Sequence, residues 1–226
     1  MFDDSTRHAR GSALIIILIA VALFGALSYV VANMMRGGSG NISEEKAKIY
    51  AGEIIDYAAS IKRAVQNIQI SNNCSDTEIS FETAGLTGYT NGTNTKCQVF
   101  NANGGGLSYV PPSPYYTDAT EITFTGENQI DHSAGSSASD LLFILTDIAP
   151  EICLQINEKL NITNPSGAPP DDTGVSGLTK FTGVFGSGNT LNDENANLTD
   201  ALTGCYLDSD SAVAKPYIFY SVLINR

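Results

Sequence analysis

Apolar and polar positions divide this chain into two regimes. From Ser12 to Met35 there are 24 residues without a charge, with Arg7 and Arg10 before them and Arg36 after. As an α-helix at about 1.5 Å per residue, such a run reaches roughly 36 Å, enough to cross a bilayer core of about 30 Å. Its apolar surface goes all the way round, so it needs lipid or other helices about it. A transmembrane or filament-core helix is therefore predicted over residues 12–36. Gly37-Gly38-Ser39-Gly40 interrupts it, because glycine costs a helix interior about 1 kcal/mol relative to alanine; residues 37–42 are read as a hinge. Beyond the hinge Ala47, Ala51, Ile54, Ala58, Ile61, Val65 and Ile68 recur at alternating intervals of four and three. That stripe predicts an amphipathic helix over 43–70, capped by Ser43 and opened by Glu44 and Glu45, whose charges suit the helix dipole.

The pattern then shortens. Strands are predicted at Glu78–Phe81, Cys97–Phe100, Leu107–Val110 and Glu121–Thr125, divided by Asn91-Gly92, by Asn103 with its three following glycines, and by the prolines of 111–114. Ser139-Asp140 resembles a cap for a short helix over Leu141–Leu145. Pro150 suits the first position of another helix carrying Ile152, Ile156 and Leu160. Strands are expected again at Lys180–Phe185, Gly204–Leu207 and Pro216–Ile224, the last (PYIFYSVLI) being apolar enough for a central strand. The fold class expected is α+β: a long N-terminal apolar helix continuing into an amphipathic helix packed on an antiparallel sheet, with one globular domain over 43–226.

Charge narrows the function. With 24 acidic residues against 12 basic ones the net charge is −12, and no Lys/Arg cluster occurs, which excludes nucleic acid as a partner. All four cysteines, Cys74, Cys97, Cys153 and Cys205, lie beyond the apolar run, which reads as two disulfides in an oxidising compartment. Four cysteines allow three pairings; nearest neighbours along the chain, Cys74–Cys97 and Cys153–Cys205, are the pairs expected here. Arg7 and Arg10 favour a cytoplasmic N-terminus, which leaves the cysteines outside.

The leader, MFDDSTRHARG, followed by an unbroken apolar stretch, resembles the class III leader of type IV pilins and secretion pseudopilins. The resemblance implies cleavage between Gly11 and Ser12 by a prepilin peptidase, with 1–11 removed and the new N-terminus methylated. The fifth residue after that junction is Ile16, where the family carries a glutamate, and Ser12 stands where it usually carries Phe; the first difference points towards a minor or tip subunit. The helix with Cys153 and the strands near Cys205 resemble, more loosely, the C-terminal region of type IVb-like pilins. The function so implied is that of a filament or pseudopilus subunit assembled through its apolar helix. It would reside in the inner membrane before assembly and afterwards at the cell surface or in the periplasm, with other subunits as partners. A membrane-anchored extracytoplasmic binding or adhesion protein that never polymerises is the alternative.

No enzyme is expected, since the chain carries no GxSxG, HExxH or phosphate-loop pattern. His132, in a Gly/Ser-rich stretch, reads as a solvated loop residue. No cofactor is expected, Ca²⁺ excepted: Asp208 and Asp210, with Asn192-Asp193-Glu194-Asn195, offer alternating oxygens of the kind Ca²⁺ takes, and some pseudopilins hold calcium in that region. A solvated acidic loop is the plain alternative. Tyr89, Tyr109, Tyr115, Tyr116, Tyr206, Tyr217 and Tyr220 suit either an adhesive surface or half-buried strands.

Overall fold

The computed structural model describes residues 16–25, 43–131, 137–172, 179–186, 190–209 and 216–226. The chain divides into two compact units, Met1–Ser43 and Glu44–Arg226. In the first, the described element is helix α1, residues 16–25. Its large apolar side chains are exposed, from 53% for Ile19 to 76% for Phe24.

This corrects the expected fold class. The ten described residues of α1 extend about 15 Å, half of a bilayer core, and no helix among the described residues is long and apolar enough to cross a membrane. The amphipathic helix is α2 (Glu44–Asn72), in the second unit. The junction Gly11–Ser12 and the hinge over 37–42 lie outside the described residues.

The second unit is α+β. Its main sheet has the strand order β1-β3-β7-β6-β4, from β1 (Thr123–Thr125), β3 (Leu141–Leu145), β4 (Asp171–Asp172), β6 (Thr203–Asp208) and β7 (Tyr217–Ile224). The sheet is mixed, not antiparallel: β4 runs parallel to β6 at the far edge. β2 (Gln129–Ile130) and β5 (Thr190–Leu191) form a separate parallel pair.

Successive side chains of a strand face opposite ways, and both faces of this sheet are covered. Leu142 and Ile144 of β3, Tyr206 of β6 and Ile218, Tyr220 and Val222 of β7 pack with Ile130, Leu191 and Leu198 on one side. The other side meets α2, whose whole stripe is buried with Ala64 added to it. Its small alanines allow close approach, and α2 packs against both β7 and α3 (Pro150–Leu160). Asn73 ends α2 in the left-handed conformation, φ 53°.

Double coverage explains why Leu141–Leu145, predicted as helix, is instead the strand β3, buried at every position. Asp140 caps nothing; its carboxylate accepts the N–H of Ile130 at 2.9 Å and of Arg226 at 2.9 Å. The strands expected at 78–81 and 97–100 are 3-10 turns, Asp76–Glu78 and Thr95–Cys97, followed by one parallel bridge between Ser80 and Gln98. Neither Leu107–Val110 nor 180–185 forms a strand. Gly105 lets the loop after Phe100 cross close to α2, where an added Cβ would lie 3.1 Å from that of Ala64.

Disulfides join Cys74 to Cys97 and Cys153 to Cys205, closing sequence separations of 23 and 52 residues. Loops of this length contribute roughly 3–4 kcal/mol each in the chain-entropy picture. Beside the second bridge, buried Asn157 of α3 grips β6 twice: its Nδ2 donates to Cys205 O at 2.8 Å, and its Oδ1 accepts the Cys205 N–H at 3.0 Å. Removing that amide strands a buried donor and a buried acceptor, at about 1–3 kcal/mol each. Asn157→Ala should therefore lower the melting temperature by on the order of 10 °C with both disulfides intact, and Asn157→Asp, which turns a carboxylate oxygen towards the Cys205 and Asn164 oxygens in a buried site, by at least as much. A thermal melt of Asn157→Ala that overlays the wild type would refute this pairing.

Candidate functional site

The α2 residues Tyr50, Glu53, Ile54 and Tyr57 stand at i, i+3, i+4 and i+7, one face of a helix. The last three border a cleft of about 240 Å³ and form one wall of it. Val110, Tyr116 and Ile122 close the opposite side, and Phe143 and Leu145 of β3 make the floor. Ile54, Ile122, Phe143 and Leu145 are buried, whereas Glu53 is exposed at the rim. Tyr116 is held from behind by Tyr50, ring centroids 5.7 Å apart, and Tyr57 meets Phe143 edge-on at 6.4 Å.

Hydroxyl hydrogen bonds fix these rings. Tyr57 accepts the Val110 N–H at 2.9 Å, so the loop wall is tied to the helix wall. Tyr89 and Tyr109 likewise accept the N–H groups of Phe124, at 2.9 Å, and of Ile122, at 3.3 Å. The Phe124 carbonyl accepts from Phe181 N at 2.9 Å. The outer edge of β1 is thereby occupied by side chains and loop instead of another strand, which removes an open template for edge pairing.

Electrostatics follow from burial. Tyr57 is pushed up to about 12 by desolvation, opposed in part by the Val110 N–H. Tyr116 is raised as well, by desolvation first and then by the neighbouring Glu53 carboxylate. Glu53 takes part in no ion pair among the described residues. The cleft is thus an aromatic and aliphatic chamber with one carboxylate at its rim and no cation in its lining.

Of the residues singled out from the sequence, Tyr116 is in the lining and Asp208 is not. Asp208 ends β6, opposite Asp172 of β4 in the parallel register, and its N–H donates to Pro216 O at 2.7 Å; Asp210 and His132 are outside the described residues. In the Asn192–Asn195 loop Asp193 and Glu194 are exposed, while the asparagines build structure: Asn192 Nδ2 donates to Ala201 O at 2.8 Å and Asn195 Nδ2 to Asp171 O at 3.1 Å. Among the described residues no group of three or more His, Cys, Asp or Glu side chains could hold a metal ion. Tyr89, Tyr206 and Tyr220 are fully buried core residues, and Tyr115 is the exposed member of the set at 72%. Sequence reasoning missed Tyr50, Glu53 and Tyr57, although their helical spacing beside Ile54 was a usable signal. Set against known proteins, the chain matches no family model, no curated protein and no solved structure.

An unfolded tyrosine ionises near pH 10, below the folded value of Tyr57. Between the two the unfolded chain binds fewer protons, so stability is whole below about pH 10 and is lost as pH rises through about 12. Melting temperatures measured from pH 9 to pH 12 should fall less steeply for Tyr57→Phe than for the wild type; parallel curves would contradict the assignment.

Proposed function

We propose that this protein is a structural subunit of a type IV pilus-like filament or secretion pseudopilus, major or minor, assembled through its N-terminal apolar segment. The observation that carries the reading is the exposure of α1. Ile16, Ile17, Leu18, Ile19, Val21, Leu23 and Phe24 are each more than half exposed. A contiguous apolar surface of this kind marks an interaction site, and its burial yields about 25 cal/mol per Å². Lipid before assembly and the helices of neighbouring subunits after it are the two environments that meet this need. The leader ending in Gly11 supports the same reading, as does the disulfide-stapled acidic domain, which suits an extracytoplasmic surface. Ile16 in place of the family glutamate leaves an apolar contact where an ion pair would otherwise be buried, an exchange that is often neutral or stabilising. The protein would rest in the inner membrane until a prepilin peptidase cuts after Gly11, then pass to the filament.

An anchored protein that binds a ligand and never polymerises is the second reading, and the cleft beside α2 favours it. Processing separates the two. Intact mass of the protein extracted from membranes should lack residues 1–11, and Gly11→Asp should retain them. The Gly11→Asp protein should also accumulate in the membrane fraction and vanish from sheared surface filaments. If it is processed and exported like the wild type, the filament reading fails.

A further inference from the structure

We propose that the cleft beside α2 binds a methylated ammonium group carried on a short apolar body, with Glu53 as its counter-ion and the rings of Tyr57, Tyr116 and Phe143 as its walls. The inference is independent of whether the chain polymerises, since every residue it uses belongs to the unit Glu44–Arg226.

Four properties of the cleft select this chemistry. Aromatic faces attract cations through their quadrupoles, and an aromatic enclosure is the arrangement that recognises quaternary ammonium groups. Glu53 supplies the one charge in the lining, and it is negative. An anion would meet that carboxylate with no cation in the lining to offset it, and a wholly neutral apolar ligand would gain nothing from it. A sugar needs hydrogen-bonding partners on several sides; here the side chains of Ile54, Val110, Ile122, Phe143 and Leu145 offer none, and the polar atoms are confined to Glu53 and the hydroxyls of Tyr57 and Tyr116. A quaternary ammonium has no N–H to satisfy, so an apolar wall costs it nothing beyond desolvation, which the rings and the carboxylate offset. The volume, about 240 Å³, lies below the roughly 300–1,000 Å³ of sites for drug-sized ligands, so a small group fits and a bulky one does not.

The walls are also set in advance. Tyr50 backs Tyr116 at 5.7 Å, Phe143 meets Tyr57 at 6.4 Å, and the Val110 N–H bond holds the Tyr57 hydroxyl at 2.9 Å. Rigid walls lose little freedom on binding.

Choline and its uncharged carbon analogue, 3,3-dimethylbutan-1-ol, have nearly the same shape and differ in the positive charge. Each is titrated into the full chain in a maltoside detergent, which has no ammonium headgroup of its own, while the δ1-methyl resonances of Ile54 and Ile122 are followed. Choline should shift both methyls saturably and bind at least about fivefold tighter than the neutral analogue. Glu53→Gln, at an exposed position, should leave the melting temperature unchanged and bring choline down to the level of the analogue. Tyr116→Leu should remove saturable binding of choline. Equal affinities for the two probes, undiminished choline binding in Glu53→Gln, or no saturable shift at either methyl would each overturn the proposal.

Discussion

A row of phenylalanine rings beneath α2 is the contact on which the rest of this domain depends. Phe124, Phe143 and Phe219 stand on the neighbouring strands β1, β3 and β7, with centroids 5.6 and 5.7 Å apart and rings edge to face. Phe81, from the segment between the two cysteines of the first disulfide, lies flat on Phe124 at 3.9 Å. Edge-to-face pairs contribute about 0.5–1.5 kcal/mol each beyond the area they bury. The row therefore joins parts that share little backbone pairing: the irregular stretch from Cys74 to Tyr109, the sheet and, through Tyr57 on Phe143, the long helix. The cleft is a by-product of the same arrangement. Phe143 is both the middle of the row and the floor of the chamber, so the packing that holds the domain also fixes the walls of its candidate site.

How much of this was legible in the chain depends on whether one period dominated locally. The α2 stripe was plain because seven positions kept one helical spacing, and all seven are buried. Pro216–Ile224 was plain for the opposite reason: an apolar run interrupted only by Ser221 suits a strand covered on both faces, and β7 lies between β3 and β6. Leu141–Leu145 has the same uniform character, but a short uniform run carries no period, and the Ser-Asp pair before it imitated a helix cap. The structure resolved the ambiguity by spending Asp140 on Ile130 and Arg226. Between Cys74 and Tyr109 the strand-like residues were real but the strands were not, because the disulfide, the tyrosine hydroxyls and Phe81 hold that segment where a sheet ladder otherwise would. The parallel edge strand β4 has two residues, too few for any pattern.

The cleft was harder to see than the fold, since its walls are distant in sequence. Tyr57 and Val110 are 53 residues apart, and nothing near either announces the other. Attention to acidic pairs drew the metal expectation to Asp208 and Asp210, whereas the carboxylate that borders a chamber is the solitary Glu53. An acid isolated among rings is chemically more informative than acids among acids, because only the first has surroundings that select a partner.

Native-state hydrogen exchange on Phe124→Leu, compared with the wild type, tests the dependence on the aromatic row most directly. If the row couples its parts, the slow amides of β1, β3 and β7 and those of Ser80 and Val99 should lose protection together, by the same factor. Loss confined to Ser80, Val99 and β1, with β3 and β7 as protected as before, would contradict that account and leave the row a set of independent local contacts.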